Sequence, residues 1–254
     1  MRLKNAKAIS RMRDSGRMVA ECFALLEENI RPGVSIRMLD QKVEQYIADQ
    51  GAEPLYKGYQ GSASNHPPFP GVICASVNHE ICHGLPDDRI LNEGDIIGID
   101  IGLKYKGYCG DACYTFPVGK IAPATERLLE VAKEALDVGV QAVQPGGYLN
   151  DIGRAIHDLA EARGVSVVRE WGGHGIGRSL HESPSVLHIR QSGRGPKLRL
   201  GMTFTIEPMI NQGGYEWILL KDGWTVITKD GSLSAQYEHT VAVTQSGVEV
   251  LTKL

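Results

Sequence analysis

The sequence predicts an α+β fold of two similar halves, with sheet inside and helices outside. Three observations predict it. Two helical pairs, each broken at a Pro-Gly turn, recur 113 residues apart. Strand-like segments follow each pair, so the order is helices then sheet, twice over. No polar linker divides the 254 residues, and 1–254 therefore reads as one domain with an internal repeat of roughly 1–120 and 121–254.

The first helix is expected over 6–30. Ile9, Met12, Gly16, Val19, Phe23, Leu26 and Ile30 recur there at steps of three and four. Arg31-Pro32-Gly33 ends it. Ser35 is a candidate N-cap for a helix over about 36–50, with Leu39, Val43, Tyr46 and Ile47 inward and Gly51 closing it. A strand follows at 72–77, and then the stretch 94–116, GDIIGIDIGLKYKGYCGDACYTF. Side chains alternate along a strand, so Ile97, Ile99 and Ile101 share one face while Gly98, Asp100 and Gly102 share the other. Lys106-Gly107 fits a two-residue hairpin turn. That register sets Asp111 opposite Gly102, on the face that carries Asp100. Two carboxylates on one face of an apolar hairpin repel each other, and a divalent cation between them is the simplest remedy. A pair of solvated edge aspartates is the plainer alternative.

The second half repeats the plan. Leu128, Val131, Ala135, Leu136, Gly139 and Val143 predict a helix over 124–143, which stops at Gln144-Pro145-Gly146. Ile152, Ile156 and Leu159 mark another over 149–163. The offset superposes Pro32 on Pro145, Gly33 on Gly146, Leu39 on Ile152, Val43 on Ile156 and Gly51 on Gly164, the pattern of a duplicated unit. Strands are expected at 165–168, 202–207, 217–220, 224–228 and 235–244, with Gly/Pro-rich loops at 58–71 and 191–201.

Composition excludes several roles. Net charge is −3 and no dense Lys/Arg run occurs, so nothing supports nucleic-acid or membrane-surface binding. No run of about 18 apolar residues exists to span a membrane. The first residues, MRLKNAKAIS, are charged and lack a signal core. Five scattered cysteines read as reduced thiols of a cytoplasmic protein.

Further candidates for chemistry lie in the second half. Glu207 ends the strand MTFTIEP, and Glu238 is expected inside another, on one face with Gln236 and Thr240. A mid-strand glutamate is disfavoured unless paired or ligating, although each alone fits an exposed strand face. His174 sits on the glycine-rich bend WGGHGIG, where the backbone can approach a site closely, and His181 follows. His83 stands before a turn in NHEICHGLP, with His79 and His66 as competitors. His157 and His188 have no supporting context and read as surface or core-satisfied. Four carboxylates and one imidazole suit two divalent ions bridged by carboxylates, and oxygen-rich ligation favours Mn²⁺ or Fe²⁺. Such ions polarise a carbonyl and lower the pKa of a water, while uncoordinated histidines donate hydrogen bonds to the reacting groups. The residues thus point to metal-assisted hydrolysis, without naming a substrate.

The segments CHGLPDD (82–88), GDIIGIDIG (94–102), GYCGD (107–111), GHGIGRSLHESP (173–184), GMTFTIEPM (201–209), KDGWTV (221–226) and SAQYEHT (234–240) resemble type I methionine aminopeptidases of the duplicated pita-bread fold. The resemblance runs from the first helix to the last strand. It implies that Asp100, Asp111, His174, Glu207 and Glu238 ligate two divalent ions, drawn from Fe²⁺, Mn²⁺, Co²⁺ or Zn²⁺, with Asp111 and Glu238 bridging. His83 and His181 match the uncoordinated histidines beside the substrate amide and carbonyl, and Glu207 the ligand assigned proton transfer. Trp224 matches an aromatic wall, and Cys74 and Phe69 the methionine side-chain pocket. Asn78 and the backbone around Ser234 resemble a monovalent-cation site. The implied reaction is removal of the initiator methionine from nascent chains whose second residue is small, by a cytoplasmic monomer with the ribosome as a partner.

Some residues depart from the pattern. The loop 62–69 is substituted, which bears on the side-chain pocket. Leu180 replaces a common Phe and Cys109 a common His, and Cys113 shares strand parity with Asp111. Thiols near the metals could tune metal choice or oxidation sensitivity, while small buried side chains are the plainer reading. Three other functions compete. A prolidase or aminopeptidase P type enzyme carries a large extra N-terminal domain, whereas about eighty residues precede His83 here. A non-enzymatic binding protein on this fold is expected to lack ligands. A paralogue with shifted side-chain preference follows if the loop alters the pocket.

Overall fold

Side-chain caps start the first two helices where their apolar stripes begin. In the structure, a computed structural model that describes residues 2–61 and 67–254, Asn5 accepts the Ala8 amide at the head of α1 (Ala6–Glu27). Ser35 accepts the Met38 amide at the head of α2 (Ile36–Asp49). Each satisfies a helix donor that would otherwise lack a partner. Then come β1 (Glu53–Pro54), β2 (Cys74–Val77), β3 (Glu80–Cys82), β4 (Ile96–Tyr105) and β5 (Tyr108–Pro117). The second half opens with α3 (Pro123–Gln141) and α4 (Leu149–Arg163), the latter closed by Gly164 in the left-handed region. Its strands are β6 (Ser166–Val167), β7 (Gly173–Gly175), β8 (Glu182–Val186), β9 (Thr203–Ile206), β10 (Met209–Asn211), β11 (Trp217–Leu219), β12 (Val226–Thr228), β13 (Ser234–Gln236), β14 (His239–Thr244) and β15 (Gly247–Val250).

The β4–β5 hairpin has the register expected from its turn. Lys106 and Gly107 both take positive φ, 49° and 79°, the type I′ geometry that matches strand twist. Gly102 stands opposite Asp111, and Asp100 opposite Cys113. On the other edge of β4, β2 sets Cys74 opposite Asp100. A five-stranded antiparallel sheet, in the order β15-β14-β9-β7-β8, forms the main sheet of the second half.

Alternation predicts one strand over 235–244, and the structure breaks it. β13 pairs with β10 and β14 with β9, leaving Tyr237 and Glu238 between them. The facing strand breaks at Glu207 and Pro208. Pro208 has no N–H for a ladder, so pairing lapses on both sides at one point. The ladders on either side share one register, in which Glu207 and Glu238 face each other across the gap. Glu238 instead donates its backbone N–H to Cys113 O at 2.8 Å. Thr240 Oγ1 donates to Asp111 O at 2.7 Å and accepts the Asp111 amide. The chain around Glu238 thereby joins the second-half sheet to the first-half hairpin.

Helices cover one side of the sheet that holds the β4–β5 hairpin and one side of the five-stranded sheet. Val19, Leu26, Leu39 and Val43 pack with Ile97, Ile99, Ile101 and Leu103 in one core. Leu128, Ala135, Ile152 and Ile156 pack with Phe204, Ile206, Val241 and Val243 in another. Asp100 and Asp111 project from the opposite face of the hairpin into a cavity between the two sets of strands. Among the described residues no helix is long and apolar enough to cross a membrane.

Candidate active site

The hairpin brings the two aspartates together, and Tyr56 links them. Its hydroxyl lies 2.5 Å from Asp100 Oδ1 and 2.7 Å from Asp111 Oδ1. His174 is aimed from β7 by two contacts. Its backbone N–H donates to Thr205 Oγ1 at 3.0 Å, and its Nδ1 donates to Gly175 O at 3.1 Å. Nε2 then faces the carboxylates, 3.5 Å from Asp111 Oδ2 and 3.8 Å from Glu207 Oε1. Thr205 Oγ1 passes the contact on, donating to Glu207 Oε1 at 2.7 Å. The Glu207 backbone N–H donates to His188 Nε2 at 3.1 Å. Burial pushes the His188 pKa down to about 3, which keeps the ring neutral and able to accept.

Electrostatics at this place are unbalanced. Burial raises the Asp100, Glu207 and Glu238 carboxyls above their usual range, and repulsion from neighbouring carboxylates adds to it. Burial alone would lower His174, but the Asp111 and Glu207 carboxylates outweigh it and lift the ring to about 9. Glu238 Oε1 is buried with no hydrogen-bond partner. An unpaired buried carboxylate oxygen is costly unless a cation meets it. Asp111, His174 and Glu238 each offer a ligand atom, all within 4.8 Å of one another. Crowded oxygens, one imidazole and an unsatisfied carboxylate fit a divalent cation.

The cavity around these groups holds about 730 Å³. Phe69, Cys74, Leu180 and Trp224 form its apolar side, with Phe69 and Trp224 edge to face at 5.3 Å. His83 lines it from a left-handed backbone position, φ 56°, with its ring 5.3 Å from that of Trp171. His181 lines it 4.4 Å from the His174 ring, and the Tyr59 hydroxyl lies 3.2 Å from its Nδ1. Burial, then the charge on His174, lowers the His181 pKa. All five candidate ligands' side chains reach this region, as do His83, His181, Phe69, Cys74 and Trp224.

Other candidates fall elsewhere. His79 is exposed in the turn between β2 and β3, and does not line the cavity. His66 and most of the 62–69 loop lie outside the described residues. His157 pairs with Glu161 along α4. All five cysteines are free and buried. Burial pushes the Cys109 thiol up to about 12 and raises Cys74 and Cys113 far above the usual range. A thiol raised in this way resists deprotonation, which favours the reading of small buried side chains.

The model of metallopeptidase family M24 matches residues 10–245. The chain belongs to this family. It is 45% identical over 251 residues to methionine aminopeptidase 1 of Bacillus subtilis, covering 99% of this chain and 98% of that one. It is 46% identical over 252 residues to a methionine aminopeptidase of Escherichia coli K12, covering 98% and 93%. The solved methionine aminopeptidase of Rickettsia prowazekii superposes with a TM-score of 0.95 at 42% identity, over 99% of both chains. The M24 chain described here thus has the pita-bread fold that its sequence motifs imply.

Proposed function

We propose that this M24 chain is a methionine aminopeptidase, a metal-dependent hydrolase that removes the N-terminal methionine from nascent proteins when the second residue is small. The observation that carries the proposal is one cavity with two ends. An apolar side of Phe69, Cys74 and Trp224 adjoins a cluster of four carboxylates and one imidazole. Methionine's side chain suits the first and its α-ammonium group the second.

Asp100, Asp111, His174, Glu207 and Glu238 would hold two divalent ions, with Asp111 and Glu238 shared. Their oxygen-rich set favours Fe²⁺ or Mn²⁺ and also accommodates Co²⁺ or Zn²⁺. When bound, such ions supply Lewis acidity and make a water more acidic. The chain's own groups do the rest. Tyr59 donating to His181 Nδ1 would leave the ring's proton on Nε2, free for a substrate carbonyl. His83 contacts the scissile amide. Glu207, held by Thr205, carries the proton from water to the leaving amine.

A monovalent cation is proposed near Asn78 and Ser234. Ser234 Oγ is buried without a partner. Asn78's side chain already serves Asp95 and the Ile96 amide, so carbonyl oxygens would be the ligands. Five unpaired buried cysteines support a reducing, cytoplasmic setting. One catalytic domain of duplicated halves, acting as a monomer on chains at the ribosome, completes the reading.

The test is methionine release from Met-Ala-Ser by metal-stripped protein, repeated with Mn²⁺ or with Fe²⁺ under anaerobic conditions. Met-Lys-Ser and Ala-Pro-Ser run alongside. Metal-dependent release from Met-Ala-Ser alone is expected. Activity confined to Ala-Pro-Ser would move the function to proline-specific hydrolysis. Release of Leu as fast as Met from matched peptides would favour a paralogue of shifted preference, a reading kept open by Leu180 and the substituted loop. Metal binding without any turnover would favour a binding role.

A further inference from the structure

All three tryptophans of the chain line the cavity. Trp224 belongs to the apolar side already described. Trp171 and Trp217 do not, and they lead outward. The Trp171 ring is 5.3 Å from His83, and the Trp217 ring is 5.7 Å from Trp171. Trp217 is held in place, since its indole N–H donates to Glu170 Oε2 at 3.0 Å. Both rings pack on a small core of Ile81, Cys82, Val168, Met209 and Val226. Trp217 and Leu219 share a face of β11, and both line the cavity. Leu219 remains 43% exposed. Ile218 points the other way, equally exposed at 44%, and does not line the cavity.

We infer that Trp171, Trp217 and Leu219 form a subsite for the third and fourth residues of the substrate, selecting apolar side chains there. The inference rests on the aminopeptidase reading above. A substrate has one residue before the scissile bond, and that residue fills the apolar end. Whatever chain leaves the cavity must therefore be downstream of the bond. Two ring-to-ring contacts lead from His83 to Trp217, a path no longer than about three extended residues at ~3.4 Å each. The wall is apolar and Trp217 is fixed by its bond to Glu170, so a downstream Leu or Phe gains burial there. No Lys or Arg lines the cavity among the described residues. An acidic third residue would thus lose hydration against the apolar wall and find no cationic side chain to pair with.

The test compares kcat/KM of the metal-loaded enzyme for Met-Ala-Leu-Ser, Met-Ala-Phe-Ser, Met-Ala-Ser-Ser and Met-Ala-Asp-Ser, with Met-Ala amide as the short reference. Leu and Phe at position three are expected to exceed Asp by about tenfold. Leu219→Ser should cut that ratio about threefold. Ile218→Ser, on the same hairpin but facing away, should keep it. Equal rates for the four peptides, with Met-Ala amide turned over, would overturn the subsite alone. A ratio that survives Leu219→Ser would do the same and give the exposed strip to another occupant. Silence on Met-Ala amide as well would overturn the reading of the site on which the subsite rests.

Discussion

Tyr56 ties the two hairpin aspartates together. Its buried hydroxyl is within hydrogen-bond distance of both, and removing a buried donor leaves carboxylate oxygens unsatisfied. Tyr56→Phe is predicted to destabilise the metal-free protein by about 1–3 kcal/mol, read by urea unfolding in chelator. Adding Mn²⁺ should narrow the gap, because a cation supplies the missing positive partner; a gap that metal leaves unchanged would contradict this role. Tyr56 was not legible in the sequence. It lies in a stretch without periodicity, and a tyrosine there carries neither charge nor alternation. His188 was equally silent, since its partner is a backbone amide nineteen positions away that only the fold brings near. Thr205 left a trace, because it shares strand parity with Glu207, but parity does not show that its hydroxyl bonds the carboxylate.

Between elements, two contacts fix how the pieces meet. Helix α1 lies so close to the end of the chain that a Cβ on Gly16 would stand 2.1 Å from Leu251 O. Alanine is the better helix former, yet Gly16→Ala is predicted to cost about 1–3 kcal/mol through overpacking against backbone. Denaturant unfolding checks it, and a stabilised variant would contradict the close crossing. The second contact ties the residues before α1 to β8 at the cavity rim, with Lys4 Nζ 2.6 Å from Glu182 Oε2. Burial alone would raise the Glu182 carboxyl, but Lys4 and two backbone amides outweigh it and hold it below its usual value. A depressed carboxyl stabilises the fold above its unfolded pKa, about 4.3, and that contribution is lost as pH falls through the folded value. The stability difference between wild type and Glu182→Gln should therefore be constant above about pH 5 and shrink below about pH 4. A difference that grew on acidification would have the wrong sign. The hairpin register was legible because alternation and a Lys-Gly turn are local. The break at Glu238 was not, because its cause, Pro208, lies in the facing strand.

Across the whole molecule, two helix-covered sheets leave their inner faces to one cavity, and residues from both halves line it. Helix pairs and most strands could be read from period and turn chemistry. Convergence of the charged residues could be suspected from four carboxylates on strand positions, but their distances needed the fold. The strands at 217–220 and 224–228 could be read, but not that their hairpin lies exposed beside the mouth, because an apolar run in sequence does not say which side chains face solvent. The central claim is that these carboxylates and His174 hold the metal that methionine release requires. The most direct measurement takes bound metal and release from Met-Ala-Ser together, by equilibrium dialysis and amino-acid assay, on wild type and Glu238→Ala. The account predicts about two ions per wild-type chain, and for a folded Glu238→Ala a lower metal content and at least ~100-fold less release. A folded Glu238→Ala that binds metal and releases methionine like wild type would contradict it.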